Sequence, residues 1–237
     1  VTMVLSASFA RAYFDPGGVT GGKPAYYFIR QLIFAALGVA AMIVCSRLPV
    51  GFYKRFSVPV LIAAIVLLML VPIIGTNANG AKRWIGLGAF SIQPSEIAKI
   101  GIILSFALMI CARRGRMRSF RRGILPFAAI LAVIVGLLVL EPHFSASIII
   151  VAIGGVMLFL GGARLGWFIA AAVAAGGGIA VLLTLFPYAS TRITTWRDPF
   201  ASTSDEGYQI VQSLYSIGSG GLTGLGLGQS RQKYLYL

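Results

Sequence analysis

The chain has 237 residues, of which 58% are hydrophobic and 11% charged, whereas an ordinary soluble domain carries about 25% charge. With a mean hydropathy of +0.89, this composition excludes a water-soluble globule and indicates a polytopic membrane protein. The formal charge of +14 does not indicate nucleic acid: six of the 20 basic residues (Arg113, Arg114, Arg116, Arg118, Arg121, Arg122) crowd one short connection, a pattern that suits acidic lipid head groups.

The apolar runs follow in chain order. Val1–Ala10 reads as the tail of a first helix, too short to cross ~30 Å of hydrocarbon. Phe28–Ser46 is a second span and Val58–Gly75 a third. Ile97–Cys111, extended back to a Gln93-Pro-Ser-Glu96 start, is a fourth. Ile124–Leu140, Ser145–Leu160 and Trp167–Phe186 complete the set. Glycines inside or beside these runs, such as Gly154, Gly155 and Gly176–Gly178, let neighbouring helices approach closely. The expected fold is all-α: a transmembrane bundle of about six complete spans plus part of a first. Residues 1–237 form one membrane domain, with a large outer loop over 187–237. Both ends read as cut, because Val1 opens inside an apolar run and Lys233–Leu237 stops inside a loop.

Orientation follows from the bases. If the first helix runs outward, the inner connections are Arg47–Ser57, Ala112–Gly123 and Gly161–Gly166. They then hold Arg47, Lys54, Arg55, the arginine cluster and Arg164, as the positive-inside rule requires. The six acidic residues (Asp15, Glu96, Glu141, Asp198, Asp205, Glu206) fall outside or near the outer face, so the polar chemistry is expected there. Cys45 and Cys111 fall near inner helix ends, where no disulfide is expected. One His and two separated Cys make no zinc constellation, so no metal ligands are assigned.

The run Asn79–Lys99, which reads as the loop after the third span and the start of the fourth, is the most informative. Pro94 suits the first helical position. Glu96 then sits in the first turn, where a carboxylate favours the positive helix end. Lys99 follows three residues later on the same side, and its stem leans back toward the outer water. Lys82, Arg83 and Trp84 precede it. Two readings stand side by side: an ion pair with interfacial belt anchors, and a patch that binds an anionic, lipid-borne substrate. Beyond Pro187, the spacing of Tyr208, Ile210, Val211, Leu214 and Tyr215 predicts a short amphipathic helix on the membrane face, with Gln209, Gln212 and Ser213 toward polar surroundings. Gly218–Gly228 lacks the Gly-Lys-Ser/Thr ending of a nucleotide loop, and its glycines read as flexible turns.

Taken in order, several segments resemble the SEDS family (shape, elongation, division and sporulation), whose members include FtsW, RodA and SpoVE. They are Val4-Leu-Ser-Ala-Ser8, Asn79–Lys99, Glu141-Pro142, Asp198-Pro199, Gly207-Tyr-Gln-Ile-Val-Gln-Ser213 and Ile217–Leu237. The Gln232-Lys233-Tyr-x-Tyr ending is nearer the division and sporulation branch than the elongation branch. The resemblance implies a peptidoglycan glycosyltransferase of the bacterial cytoplasmic membrane. Such enzymes polymerise lipid II, an undecaprenyl-pyrophosphate-linked disaccharide-pentapeptide, into glycan strands on the extracytoplasmic side. It implies as partners a class B penicillin-binding protein and other division proteins, and no nucleic acid.

Inverting glycosyl transfer from a lipid pyrophosphate needs a base and cationic help for the leaving group. The substrate-binding set expected here is Lys82, Arg83, Trp84, Gln93, Ser95, Glu96, Lys99, Glu141, Gln209, Gln212 and Ser213. No catalytic residue is assigned within the chain. The family's proposed catalytic Asp, in an Asp-Phe motif, corresponds to a position beyond Leu237, so residues 1–237 alone are expected to be inactive. A divalent cation is the one cofactor left open. A lipid II flippase and a non-catalytic division scaffold are the alternative readings. One departure stands out: the family's Gln/Glu-Pro-Asp-Leu-Gly sequence is here Glu141-Pro-His-Phe-Ser145. His143 thus replaces an acid, either as a substrate-facing group or as a hydrogen-bonded structural residue.

Overall fold

The computed structural model describes residues 2–14, 18–78, 81–87, 90–141, 143–185, 194–201, 207–226 and 228–229. In chain order these form α1 (Thr2–Tyr13), α2 (Tyr26–Arg47), α3 (Val50–Ile74), β1 (Thr76–Ala78), β2 (Ala81–Leu87), β3 (Phe90–Ile92) and α4 (Pro94–Ala112). A π-helical turn (Phe120–Ile124), α5 (Leu125–Leu140), α6 (Phe144–Leu160), α7 (Leu165–Leu185), a 3₁₀ turn (Pro199–Ala201) and α8 (Tyr208–Gly220) follow. Each apolar run read from the sequence becomes a helix. Among the described residues, four helices are long and apolar enough to cross a membrane: Tyr26–Arg47, Val50–Ile74, Pro94–Ala112 and Phe120–Leu140 with its π turn. The expected sites at Asp15, Asp205, Glu206 and Gln232–Tyr236 lie outside the described residues.

The chain divides into two compact units, Leu48–Ala175 and Val1–Arg47 with Gly176–Leu237. In the first, α3, α4, α5 and α6 pack on one another. Their shared core holds Leu61, Leu68, Ile102, Phe106, Phe127, Ile134, Leu138 and Ile150. Phe106 meets Phe127 edge-on, with ring centroids 4.9 Å apart and planes at 87°, the arrangement that aromatic quadrupoles favour. Gly101 allows a close approach of the two backbones, because a Cβ there would lie 3.1 Å from the Leu61 Cα on α3. With lipid tails as apolar as Leu, such close packing rather than water exclusion holds the helices together. The buried Ser105 hydroxyl adds a tie between α4 and α3, donating to the Ser57 carbonyl at 2.8 Å.

Two local expectations are corrected. The connection read as Arg47–Ser57 is far shorter, since α3 begins at Val50, directly after Pro49. Lys54 and Arg55 therefore ride on the first turns of a helix, their stems along apolar surface and their heads free to reach water. The stretch before Pro94, read as a loop, contains a three-stranded antiparallel sheet in the order β1-β2-β3. Backbone N–H and C=O groups at a membrane face must be satisfied, and sheet pairing does this for a polar connection.

In the second unit, α1 contacts α2, and the buried Thr20 hydroxyl donates to the Ala12 carbonyl at 2.9 Å. α2 has no buried residue, as a helix apolar all round would if it faced lipid. The amphipathic helix expected from Tyr208 is present as α8, with Val211 buried and Leu214 and Tyr215 exposed. It runs further than expected: Gly218 and Gly220 belong to it, and the left-handed turn begins at Gly221, with φ 57°.

Candidate functional site

One end of the Leu48–Ala175 unit gathers the C-terminus of α3, the small sheet, the N-termini of α4 and α6, and the C-terminus of α5. The sheet supplies the first cation. Thr76 lies opposite Trp84 and Asn77 opposite Lys82, so Arg83 is the inserted residue of a β-bulge. Bulges re-aim side chains, and here Arg83 is half-buried while Lys82 and Trp84 on either side are exposed. Lys82 turns back to donate from Nζ to the Pro72 carbonyl at 3.3 Å, serving one of the carbonyls that the last turn of α3 leaves open. Trp84 anchors through its backbone, its carbonyl accepting from the Thr76 hydroxyl at 3.1 Å.

α4 supplies the next group. Pro94 opens the helix after Gln93 at its N-cap, and Glu96 lies in the first turn, all as the sequence predicts. Lys99 Nζ reaches back to Glu96 at 2.7 Å. Ser95 is 1% exposed, and its hydroxyl has no hydrogen-bond partner among the described residues.

The α5–α6 connection closes the arrangement. Glu141 ends α5 and His143 is the N-cap of α6. The His143 carbonyl accepts from the Ser147 N–H and from its hydroxyl, each at 3.2 Å, which fixes the start of α6. The His143 ring meets the Gln93 side chain, Nε2 to Nε2, at 3.3 Å. One group donates and the other accepts according to the imidazole tautomer. The ring's Nδ1 is buried and without a partner among the described residues. Burial pulls the imidazole below its ordinary range; the Arg83 charge lowers it further, Glu96 opposes this and Lys99 adds to it. His143 thus sits within the fields of Arg83, Glu96 and Lys99 at once, and is neutral near pH 7. Glu141 is 3% exposed with Oε1 lacking a partner among the described residues. Burial pushes its carboxyl from 4.5 up to about 7, against the opposing pull of Arg83.

Of the residues expected from sequence, Arg83, Gln93, Ser95, Glu96, Lys99 and Glu141 lie at this one end. His143, which sequence reasoning left between two roles, is where their fields and hydrogen bonds meet. Lys82 and Trp84 lie on the sheet but face outward. Gln209, Gln212 and Ser213 belong to the other unit. There the Ser213 hydroxyl donates to the Gln209 carbonyl at 2.8 Å, and the Ser216 hydroxyl to the Gln212 carbonyl at 2.9 Å. Among the described residues no three His, Cys, Asp or Glu side chains gather into a metal-holding group.

Chemically, the bundle end combines two cations with buried polar groups that have hydrogen bonds still to make: the Ser95 hydroxyl, the His143 Nδ1 and a Glu141 carboxyl poised to donate or accept. A buried polar atom without a partner costs about 1–3 kcal/mol, so three together mark a place where a ligand rich in oxygen atoms would gain most.

Known proteins agree with this reading of the fold. The chain is 39% identical over 243 residues to the "Probable peptidoglycan glycosyltransferase FtsW" of Saccharophagus degradans, covering 100% of this chain and 60% of that protein. It is 37% identical over 214 residues to "Stage V sporulation protein E" of Bacillus subtilis, covering 90% of this chain and 58% of that one. The chain therefore spans about three fifths of the length of these curated relatives. Among solved structures, it is similar to a chain of a peptidoglycan synthase complex described as coordinating polymerization and crosslinking (TM-score 0.66, 27% identity, 93% of this chain and 65% of that one). It is also similar to the rod shape determining protein RodA of Thermus thermophilus (TM-score 0.55, 25% identity, 73% of this chain and 56% of that one). The sequence profile described as "Cell cycle protein", that of FtsW, RodA and SpoVE, matches residues 1–237 from end to end, and the chain belongs to that family.

Proposed function

We propose that the intact protein is a peptidoglycan glycosyltransferase that polymerises lipid II at the extracytoplasmic face of the bacterial cytoplasmic membrane. The observation that carries this reading is the convergence of Arg83, Lys99, Gln93, Ser95, Glu141 and His143 at one end of a membrane helix bundle, in a chain whose FtsW relatives bear that activity in their names. A hydroxyl of one lipid II attacks the anomeric carbon of a growing strand, and the lipid diphosphate departs with the electron pair of the broken C–O bond. Cations held before the reaction stabilise the charge that develops on the diphosphate. Arg83, aimed by its bulge, and Lys99, aimed by the pull of Glu96, are the groups for this. Gln93, Ser95 and His143 orient the sugar and phosphate oxygens. The base for the attacking hydroxyl belongs to the portion of the family that residues 1–237 do not cover. A class B penicillin-binding protein and other division proteins are the proposed partners, since the product strand must be crosslinked.

The test is polymerisation of fluorescent lipid II in proteoliposomes, resolved as a ladder of glycan strands. The intact protein is expected to yield strands, and residues 1–237 alone are not. Intact protein that moves labelled lipid II between leaflets yet forms no strand would establish a flippase and end the proposal.

A further inference from the structure

At the opposite end of the same unit the arginine cluster is folded rather than splayed. The connection after α4 tucks Met117 into the core at 3% exposure. It passes so close to the π turn that a Cβ on Gly123 would lie 2.5 Å from the Arg116 carbonyl oxygen. Gly123 N–H donates to the Ser119 carbonyl at 2.8 Å, and Leu125 N–H reaches the Phe120 carbonyl to close the wide π turn. Such turns inside helices are frequent at functional sites. Between these pieces lies an open cavity of about 510 Å³, lined by Arg113, Arg116, Arg121 and Arg122 above and by Leu125 and Pro126 of α5 below.

Three observations say what this cavity takes. Arg113 stacks its guanidinium over the Phe127 ring at 5.8 Å, yet one terminal nitrogen is buried without a hydrogen-bond partner among the described residues. A fixed guanidinium with donors still to use favours a phosphate or carboxylate. The sequence from Arg113 to Ala129 contains no Asp or Glu, and among the described residues the ion pair present is that of Lys99 with Glu96, away from this cluster. The floor of the cavity is apolar and belongs to a membrane helix, with Leu125 44% exposed. A soluble anion would use only the arginines, whereas a lipid uses both walls.

We propose that this cavity is a binding site for the phosphate head group of an anionic phospholipid of the cytoplasmic leaflet, with the acyl chain lying along the start of α5. The site is separate from the one at the other end of the bundle: α4 has 19 residues, which at 1.5 Å each puts the two roughly 28 Å apart. Basic pockets between membrane helices on the cytoplasmic side are suited to such head groups. The positive-inside rule assigns this end to the cytoplasm.

The experiment uses the intact protein purified in a neutral detergent and titrated with phosphatidylglycerol, phosphatidylcholine or inorganic phosphate. Bound species are counted by native mass spectrometry. Phosphatidylglycerol is expected to bind at least tenfold more tightly than phosphatidylcholine. An arginine near a lipid surface is worth roughly fivefold in affinity, so the double variant Arg121→Gln/Arg122→Gln, altered only at exposed positions, should weaken phosphatidylglycerol binding roughly 25-fold. Arg113→Gln should weaken it by fivefold or more. Arg114→Gln, one residue along but outside the cavity lining, should change it by less than twofold. Equal binding of the two lipids overturns the proposal. So does phosphate binding as tight as the lipid's, which would make this a soluble-anion site. An Arg114→Gln loss as large as that of the cavity arginines also overturns it, because it would reveal only diffuse attraction.

Discussion

Replacing Glu141 by Gln perturbs the most deeply buried acid of the candidate site while keeping its shape. In the folded protein burial raises the carboxyl pKa from 4.5 to about 7. The sign of the linkage follows. Below pH 4.5 both folded and unfolded chains carry the proton, and the group contributes nothing to pH dependence. Between the two values the unfolded chain ionises and the folded one does not, so stability falls as pH rises. It levels off once the folded carboxyl also ionises, above about pH 7. A tenfold difference in proton affinity between the two states is worth about 1.4 kcal/mol, so the loss approaches ~3 kcal/mol by pH 8. Glu141→Gln cannot ionise and should remove this slope. Arg83 will then miss a counter-charge at high pH, which returns a part of the gain. The measurement is thermal unfolding of the purified protein and variant in neutral detergent at pH 5, 6, 7 and 8. The variant should exceed the parent only slightly at pH 5, increasingly up to pH 7, and by a nearly constant margin from there to pH 8. Parallel curves, or a parent that gains on the variant as pH rises, would refute a buried proton on Glu141.

Lys99→Met and Arg83→Met should each lower kcat/KM for lipid II polymerisation by roughly 10²-fold or more, the scale of one lost transition-state donor. Lys82→Met, whose ammonium serves the end of α3, should change it less than threefold. Phe127→Ala removes a fully buried ring set edge-on to Phe106 and should cost about 3 kcal/mol of stability, read by thermal unfolding. Gly101→Val forces branched carbons against the Leu61 backbone. It should cost about 1–3 kcal/mol and lower expression of folded protein, as judged by size-exclusion chromatography.

The helices were legible because bilayer thickness imposes one length and one polarity on each span. The expected Ile124–Leu140 therefore agrees within a residue with Leu125–Leu140, whereas α3 starts eight residues before the expected Val58, because its first turns carry Lys54 and Arg55 and fall outside the apolar run. Connections obey no such rule. The β1–β2 hairpin did leave a signal, since the two residues between the strands are Asn79 and Gly80, the pair that two-residue hairpins favour. A run dominated by charge and glycine masked it. The bulge at Arg83 left none: it depends on which residue of β1 faces which residue of β2, and composition does not encode that register. His143 shows the same limit from another side. Its identity marks a departure from the family, but its environment comes from Gln93, Arg83 and Lys99, residues 44 to 60 positions away in the chain.

The Lys99–Glu96 pair tests how far a bland reading can go. At i and i+3 with a 2.7 Å contact, it has the local geometry of an ordinary helix-surface ion pair, worth a few tenths of a kcal/mol in water. That gain is small, and an ammonium becomes costly as it moves from the entry of a span toward the bilayer centre, where it reaches about 2.5–3.5 kcal/mol. Pairing reduces this penalty, but an apolar pair would avoid it altogether. The same pair also contributes opposing fields at His143, so its charges act beyond their own helix. An anion arriving at this end would compete with Glu96 for Lys99, and the lysine would not have to be carried in from water to meet it. The cation is held in advance, pointing back toward the helix start, in the arrangement that transfer of a charged leaving group rewards.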